Sequence, residues 1–219
     1  MERFGFDPGK NWDYENGFYL TSNLTRIPKL LAHYELYKRI VNLPGHVIEF
    51  GVFKGVSLIQ WLTFREILES PFSRKVIGFD MFGEFPKDLK LDSDINYATK
   101  HDEISGTGIP KEDLEFYLEG KKFQNYELVK GDITLTLKDY LQRFPEYRFS
   151  LVHIDVDVYK PSKAILDLII PHIVKGGILV FDDYGTVVGE TLAVEENSIL
   201  QNYRIEKLPI SHIPAFIVI

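Results

Sequence analysis

Short apolar runs recur along the chain with the length of buried β-strands. They occupy His46–Phe50, Lys75–Phe79, Tyr126–Val129, Leu151–Ile154 and Ile178–Phe181. Runs of about four to eight such residues between turn residues are typical of strands inside a sheet. Two further β runs are predicted within Ile205–Ile219, around Ser211–Pro214. The pattern predicts no helix between these last two runs, so we expect them to pair antiparallel at an edge of the sheet.

Apolar residues at helical spacing lie between the predicted strands. The predicted helices cover Thr25–Val41, Val56–Leu68, Glu112–Leu118, Thr136–Phe144 and Ser162–Val174. We expect the last helix to be interrupted near Pro171 and stopped by Gly176 and Gly177. Strands that alternate with helices indicate a parallel sheet covered on both faces. The prediction is an α/β fold: a Rossmann-like, mostly parallel seven-stranded sheet with helices on both faces and an antiparallel C-terminal edge.

Two polar segments interrupt this alternation. Residues 1–44 are predicted to be an N-terminal arm, rich in aromatic and turn residues, followed by the first helix. Residues 81–122 are long, polar and marked by glycine and proline. Such a stretch inside a compact domain is typical of a lid or binding loop, and a tolerated surface insertion is the alternative. We expect residues 1–219 to form one domain.

Composition narrows the classes of function. The chain has 219 residues, 45% of them apolar, no cysteine and a formal net charge of −7. This excludes a disordered chain, a disulfide scaffold, a thiol nucleophile and cysteine-ligated metal sites. The acidic balance argues against nucleic acid as a partner, because binding phosphates needs basic side chains. With neither a signal peptide nor an apolar run of about 20 residues in the sequence, we expect a cytoplasmic protein that does not bind membranes.

A turn containing two glycines follows the first predicted strand. Gly51 permits a tight turn after Glu49, and Gly55 opens the next helix. A dinucleotide-binding loop needs a glycine where this chain has Phe53, which argues against NAD or FAD. A ligand with an amino-acid end fits better, since Glu49 can meet an ammonium group and Ser57, at the helix N-terminus, a carboxylate. Turn formation and helix capping are the alternative roles.

Carboxylates also follow the next two predicted strands. Asp80 follows the second strand, where an acid can accept both ribose hydroxyls of a nucleoside. Asp132 follows the third strand, and its carboxylate can accept a hydrogen bond from an adenine amino group. Ligands of open α/β sheets bind beyond the carboxyl ends of the strands. Together with the glycine turn, these acids favour a nucleoside-containing ligand over a pyrophosphate.

Two further apolar strands each end in a pair of acids, Asp155 with Asp157 and Asp182 with Asp183. Asp155 and Asp182 are 27 residues apart, which is the spacing of successive strands. If those strands are neighbours, four carboxylates converge, and their repulsion favours either protonation or a bound cation. Oxygen ligands favour a hard ion, Mg²⁺ first and then Ca²⁺ or Mn²⁺. Capping of the following helices is the alternative, and we expect His153 to be a core residue.

Three segments of the chain resemble the class I S-adenosylmethionine-dependent methyltransferases: GHVIEFGVFKGVS, HIDVDVYKPS and GGILVFDDYG. More narrowly, they are similar to the metal-dependent sugar O-methyltransferases typified by macrocin O-methyltransferase, from about Thr21 to about Asn197. The resemblance implies S-adenosylmethionine and Mg²⁺ as cofactors and a sugar or nucleotide-sugar acceptor. Because the metal prefers two adjacent oxygens, the resemblance further implies an acceptor with vicinal hydroxyls. It also implies that the protein is a homo-oligomer.

The same resemblance implies a role for each candidate residue. Those that would hold the methionine part of the cofactor are Glu49, Gly51, Gly55 and Ser57. Asp80 would bind the ribose and Asp132 the adenine end. Those that would ligate Mg²⁺ are Asp155, Asp182 and Asp183. Asp157 would be the general base, and residues 81–122 would close over the sugar.

The chain departs from the family pattern within the glycine turn and after the second strand. Val56 replaces a small residue, and the motif after the second strand has an altered order over Asp80–Pro86.

Three other functions stay open. A catechol-type O-methyltransferase would share the metal site but take planar phenols. A nucleotide-sugar glycosyltransferase would use Asp155 and Asp157 against a diphosphate, which leaves the glycine turn unexplained. A methyltransferase-like binding protein without activity is the third, and the retention of every expected acid argues against it.

Overall fold

The computed structural model describes residues 1–86, 88–89 and 91–219. Its α-helices are α1 (Asn11–Thr21), α2 (Arg26–Ile40), α3 (Val56–Leu68), α4 (Asp92–Ser105), α5 (Lys111–Gly120), α6 (Ile133–Arg143), α7 (Tyr159–Ile169) and α8 (Val188–Glu195). Its strands are β1 (His46–Phe50), β2 (Val76–Asp80), β3 (Tyr126–Lys130), β4 (Phe149–Ile154), β5 (Ile173–Phe181), β6 (Glu206–Lys207) and β7 (Ala215–Val218). Short 3₁₀ turns cover Pro8–Lys10, Ile170–His172 and Leu200–Asn202.

The strands form one seven-stranded sheet in the order β3-β2-β1-β4-β5-β7-β6. β1 to β5 run parallel, whereas β7 pairs antiparallel with both β5 and β6. The chain order reverses between β1 and β4, which lie side by side at the centre. In open sheets of this kind the ligand crevice lies at that reversal, outside the carboxyl ends of the strands. The predicted fold class is confirmed, including its antiparallel C-terminal edge.

Alternation along the strands divides the core into two layers, because successive side chains point to opposite faces. On β1, Ile48 and Phe50 pack with α6, α7 and α8, whereas Val47 packs with α2, α3 and α5. Glu49 therefore shares the face of Val47 and lies beneath α3. The same alternation places His153 of β4 on the α2 and α3 side. The acids that follow the strands likewise point to one or the other of these two faces.

The segment after α7 differs from the prediction. The helix ends at Ile169, a 3₁₀ turn follows, and β5 already begins at Ile173. Gly176 and Gly177 thus lie inside a strand, and the prediction that they stop a helix is wrong. The pairing of β4 with β5 shifts register there, which is the mark of a bulge. A Cβ on Gly177 would lie 2.7 Å from Ile173 Cγ2, so the irregular strand requires a glycine at this point.

Two helices within the polar segments, α1 and α4, were not predicted from the sequence. α1 belongs to the arm and has no buried residue, while α4 belongs to residues 81–122 and buries only Asp94 and Ala98. Helices that lack an apolar stripe give no periodic signal in the sequence. Lys87 and Lys90, which fall in the predicted lid, lie outside the described residues. Across the described part of the chain, each helix is too short or too polar to cross a membrane.

Candidate active site

A cavity of about 380 Å³ opens at the carboxyl ends of the parallel strands. Residues that follow β1 to β5 all contribute to its lining: Gly51, Asp80, Asp132, Asp155, Asp157, Asp182 and Asp183. Helix α2 adds Arg26 and Lys29, and α4 adds Tyr97 and His101. Seven of the ten site residues predicted from the sequence therefore face one cavity. The other three, Glu49, Gly55 and Ser57, are outside this lining.

The glycine turn fits tightly against the end of β4. Gly51 has φ +91°, and a Cβ there would lie 1.7 Å from the carbonyl oxygen of Asp155. Phe53 also lies in the left-handed region, with φ +50°, and its ring contacts His101 at 4.9 Å between centroids. The phenyl group occupies the place where a diphosphate would need bare backbone. This geometry agrees with the expectation that the loop does not bind a dinucleotide.

Asp80 binds the turn from the end of β2. Its Oδ2 accepts hydrogen bonds from the amides of Val52 (2.8 Å) and Phe53 (2.9 Å), and Oδ1 accepts one from Phe82 (2.5 Å). Burial raises the pKa of Asp80, and the three amide donors oppose that rise. A carboxylate offers about four acceptor positions. The described contacts leave about one of them for a ribose hydroxyl, so Asp80 both shapes the loop and faces the cavity.

Asp132 is the N-cap residue of α6. Its Oδ1 accepts hydrogen bonds from the amide of Thr134 at 2.8 Å and from the hydroxyl of Thr134 at 2.7 Å. The capping role weighed from the sequence is therefore present in the structure. Asp132 also lines the cavity, so a contact with an adenine end stays a prediction.

Glu49 lies behind the turn, fully buried, with both oxygens engaged by the protein. Oε1 accepts from the Ser57 hydroxyl at 3.0 Å, and Oε2 accepts from Trp61 Nε1 at 2.6 Å. Oε2 also lies 3.3 Å from His153 Nδ1. The predicted contacts of Glu49 and Ser57 with the methionine part of a cofactor stay predictions. In the described structure these two side chains bind each other, and they support the loop from inside the core.

His153 continues this contact to Asp182 at the end of β5. His153 Nε2 lies 3.5 Å from Asp182 Oδ1, and Lys29 Nζ lies 2.5 Å from Asp182 Oδ2. We call Glu49, His153, Asp182 and Lys29 the balanced row, because two anions alternate with two cations. The carboxylates on either side raise the pKa of His153 to about 10 despite its burial. Lys29 and His153 hold the pKa of Asp182 well below its usual range.

Asp155, Asp157 and Asp183 form a second group, which we call the acid cluster. One oxygen from each lies within 4.8 Å of the others. Burial and the neighbouring Asp182 raise the pKa of Asp155 to about 8, and burial with repulsion from Asp157 and Asp155 raises that of Asp183 to about 11. Glu190 of α8 adds a buried carboxylate next to them, with Oε1 accepting from the Asp183 amide at 2.9 Å. Carboxylates this close favour a shared proton or a cation.

The acid cluster fits a hard divalent cation. Asp183 Oδ2 is buried and has no hydrogen-bond partner among the described residues. A buried carboxylate oxygen without a partner is costly, and a cation would satisfy it. The predicted metal ligands were Asp155, Asp182 and Asp183, with Asp157 as base. The geometry groups Asp157 with Asp155 and Asp183, and it pairs Asp182 with Lys29. The predicted ligand set thus stays a prediction. Asp157 and Asp182 compete for the third position beside Asp155 and Asp183.

Several cavity residues escaped the sequence reasoning. Lys29 lies on a helix that was predicted, but its position carried no signal that it would reach Asp182, 153 residues away. Tyr97 and His101 lie four residues apart on α4, a spacing that puts both on one helix face. Their rings stack at 6.0 Å between centroids, and Tyr97 Oη donates to Asp157 Oδ1 at 2.6 Å.

Comparison with known proteins identifies the family of this arrangement. Residues 26–218 match the model of the TylF, or macrocin-O-methyltransferase, family. The chain belongs to this family. The predicted family is thereby confirmed, and the match favours a methyltransferase over a nucleotide-sugar glycosyltransferase.

A curated protein and two solved structures are similar to this chain. The curated 8-demethyl-8-(2,3-dimethoxy-alpha-L-rhamnosyl)-tetracenomycin-C 4'-O-methyltransferase of Streptomyces olivaceus is 25% identical over 148 residues, 65% of this chain and 54% of that protein. This chain therefore spans about half the length of that relative. The crystal structure of CalS11, a calicheamicin methyltransferase, superposes with a TM-score of 0.76 and 27% identity, covering 97% of this chain and 86% of CalS11. The O-methyltransferase NovP shares the fold, with a TM-score of 0.70 and 20% identity over 88% of this chain and 79% of NovP.

Proposed function

We propose that this protein transfers a methyl group from S-adenosylmethionine to a hydroxyl of a sugar, or of a small molecule that carries a sugar, with the help of Mg²⁺. The observation that carries the proposal is the acid cluster, whose three carboxylates lie within 4.8 Å inside the cavity that Asp80 and Asp132 also line. Family membership supports the reaction, and the two relatives named for their substrates both act on rhamnose units. An acceptor with adjacent hydroxyls follows from a metal that binds two neighbouring oxygens.

The residues of this chain divide the work between positioning and proton transfer. S-Adenosylmethionine supplies a methyl group on a sulfonium, which is an excellent leaving group, and Mg²⁺ lowers the pKa of a bound hydroxyl. Gly51 and Asp80 hold the turn that faces the cofactor. Asp155 and Asp183, which belong both to the predicted ligand set and to the acid cluster, hold the cation. Asp157 removes the proton from the acceptor hydroxyl, a role that requires it to lie within hydrogen-bond reach of that oxygen.

The acceptor is either nucleotide-linked or part of a finished glycoside. CalS11 is described as a TDP-rhamnose 3'-O-methyltransferase, whereas the Streptomyces olivaceus protein is named for a rhamnosyl-tetracenomycin. Both classes belong in the first assay. The panel also includes a simple catechol, because a planar phenol tests the main alternative.

Product formation with this panel tests the proposal. Purified protein, S-adenosylmethionine and Mg²⁺ are incubated with a nucleotide-linked rhamnose, a rhamnosyl glycoside and a catechol, and S-adenosylhomocysteine is measured. We expect turnover with a sugar and little with the catechol. Turnover with the catechol alone would assign the protein to the catechol branch.

Removal of the metal gives a separate prediction. We expect EDTA to abolish turnover, because the acceptor hydroxyl then keeps its ordinary pKa and the acid cluster is uncompensated. Calorimetric binding of S-adenosylmethionine should persist, since Asp80 and the glycine turn do not use the cation. Added Mg²⁺ should restore the rate. Undiminished turnover in the metal-free enzyme would remove the metal from the proposal and leave methyl transfer intact.

A further inference from the structure

One hydrogen bond links the predicted lid directly to the proposed base. Tyr97 lies on α4 within residues 81–122, and its hydroxyl donates to Asp157 Oδ1 at 2.6 Å. Tyr97 and Asp157 both line the cavity. The bond takes up Oδ1 of Asp157, so the proposed proton transfer would use the other oxygen of this carboxylate. A helix that served only to cover the sugar would not need a hydrogen bond to the proposed base.

Asp157 is held in an unusual backbone conformation. Its φ is +62°, a region that residues with a side chain rarely adopt. The amide of Glu190 donates to the carbonyl of Asp157 at 3.1 Å, and a Cβ on Gly189 would lie 2.9 Å from that same oxygen. Non-glycine residues in this region cluster at functional sites and persist where the surrounding structure holds them in place. The Tyr97 hydroxyl binds the side chain of this constrained residue directly.

A second contact anchors α4 beside the first. Asp94 is buried, 1% exposed, and its Oδ2 accepts from the amide of Tyr159 at 2.9 Å. Tyr159 is the first residue of α7, whose N-terminus has no capping side chain of its own. A Cβ on Gly189 would lie 2.5 Å from Asp94 Oδ1, so α8 must present a glycine for α4 to dock. Asp94 thus caps a helix that begins two residues after Asp157.

The face of α4 that carries Tyr97 and His101 forms part of an aromatic wall of the cavity. His101 stacks on Tyr97 and has its ring edge-on to Phe53 and Phe85, at 4.9 and 5.4 Å between centroids. Movement of α4 away from the cavity would therefore open this wall, release Asp94 and break the bond to Asp157 together.

We propose that Tyr97 is a positioning residue for Asp157, and that α4 aligns this carboxylate only when it is docked over the acceptor. The inference rests on the proposed function, in which Asp157 removes the acceptor proton. It makes enclosure of the sugar and alignment of the base a single event. The role of Tyr97 is to orient one oxygen, not to transfer a proton.

The test uses Tyr97→Phe, which keeps the ring and removes only the hydroxyl. We expect kcat to fall about 10- to 100-fold, because a small misplacement of a reacting group is costly, with KM within about twofold of wild type. Tyr117→Phe is the matched control, since Tyr117 lies in the same segment but its hydroxyl bonds to Arg3 and Phe6 of the arm. The control should keep the wild-type kcat. Calorimetric affinities for S-adenosylmethionine and Mg²⁺ should be unchanged in both variants.

Asp94→Ala tests the docking of α4 with a readout independent of turnover. We expect faster hydrogen exchange of the α4 amides and a smaller fall in kcat than for Tyr97→Phe. A kcat for Tyr97→Phe within twofold of the control would overturn the inference. A rise in KM at constant kcat would overturn it too, since it would make Tyr97 an acceptor-binding residue. Two further results separate the two proposals: a wild-type rate in Asp157→Asn removes Asp157 as the base and overturns this inference while methyl transfer stands, whereas wild-type protein without turnover on any sugar contradicts the proposed function itself.

Discussion

The balanced row and the acid cluster lie side by side, yet the same residue type behaves in opposite ways in them. Asp182 and Asp183 are adjacent in sequence, and the pKa of the first is held well below its usual range while that of the second is raised to about 11. Strand alternation separates them. Asp182 faces α2, and its Oδ2 lies 2.5 Å from Lys29 Nζ, whereas Asp183 lies beside α8 and the buried Glu190. Lys29 and His153 pair with Asp182 in the row, whereas no ion pair among the described residues reaches the cluster, although the same two cations lower the pKa of Asp155. The row therefore supports the metal-free fold, and a bound cation would compete with Lys29 for Asp182.

The largest effect should come from Asp157→Asn compared with Asp182→Asn. We expect Asp157→Asn to lower kcat by about 10²- to 10⁴-fold, because it removes the proposed base, while Mg²⁺ affinity measured by calorimetry stays near wild type. Asp182→Asn should weaken Mg²⁺ binding, because the predicted ligand set requires Asp182 to exchange Lys29 for the cation. The reverse pattern, with Mg²⁺ affinity lost in Asp157→Asn and retained in Asp182→Asn, would make Asp157 the third ligand and leave the base to be found elsewhere.

Breaking the balanced row should cost stability. Lys29→Met leaves the nearly buried Asp182 without its closest cation, and loss of one member of such a pair destabilises a protein by about 3 kcal/mol. Urea unfolding of the metal-free protein measures this change. The double variant Lys29→Met/Asp182→Asn should recover part of the loss, because the uncompensated charge is gone.

Lys38→Met on the same helix is the control for Lys29→Met. Lys38 pairs with Glu35 in solvent, where ion pairs contribute little, so we expect almost no change. Equal stabilities of Lys29→Met and Lys38→Met would show that the row does not support the fold.

The acid cluster should produce a smaller, pH-dependent effect. A raised pKa means that the folded protein binds more protons than the unfolded chain, so the free energy of unfolding falls as pH rises. For Asp183, raised from 3.8 to about 11, the fall begins once the unfolded carboxyl ionises near pH 4. Asp182 has the opposite sign, since its stabilisation is present above its unfolded pKa and lost in stronger acid.

Asp183→Asn should therefore flatten the pH dependence of stability. Between about pH 4.5 and 6, below the unfolded pKa of histidine, we expect the variant to lose a slope of up to about 1.4 kcal/mol per pH unit relative to wild type. Urea unfolding across this window, without metal, measures the difference. Parallel curves would mean that Asp183 is ionised in the folded protein and already compensated. Saturating Mg²⁺ should flatten the wild-type curve in the same way.

The sequence predicted the layout of the site better than the pairing of its side chains. Periodicity and strand-end position put Asp80, Asp132 and all four acids of β4 and β5 on one edge, because parallel strands end together. The binding of the Glu49 carboxylate by Ser57 and Trp61 was not predicted, although its place in the alternation of β1, on the same face as Val47, was readable from the sequence. Lys29 and Tyr97 could not be found, since each reaches its acid across 60 or more residues from a different helix. A polar helix such as α4 has no periodic apolar signal that would fix its face.

Gly51 has no room for a side chain, and this close contact fixes the distance between the proposed positions of the methyl donor and the acceptor. The turn meets the carbonyl of Asp155 so closely that not even a methyl group fits between them, and the Asp155 amide donates to the Phe50 carbonyl at 2.8 Å. The distance between the two halves of the reaction centre is thus built into main chain that no side-chain substitution reshapes. Residues 81–122 lie outside this junction. Apart from Asp94 and Tyr97, sequence drift there can change which sugar enters without disturbing the line along which a methyl group would travel.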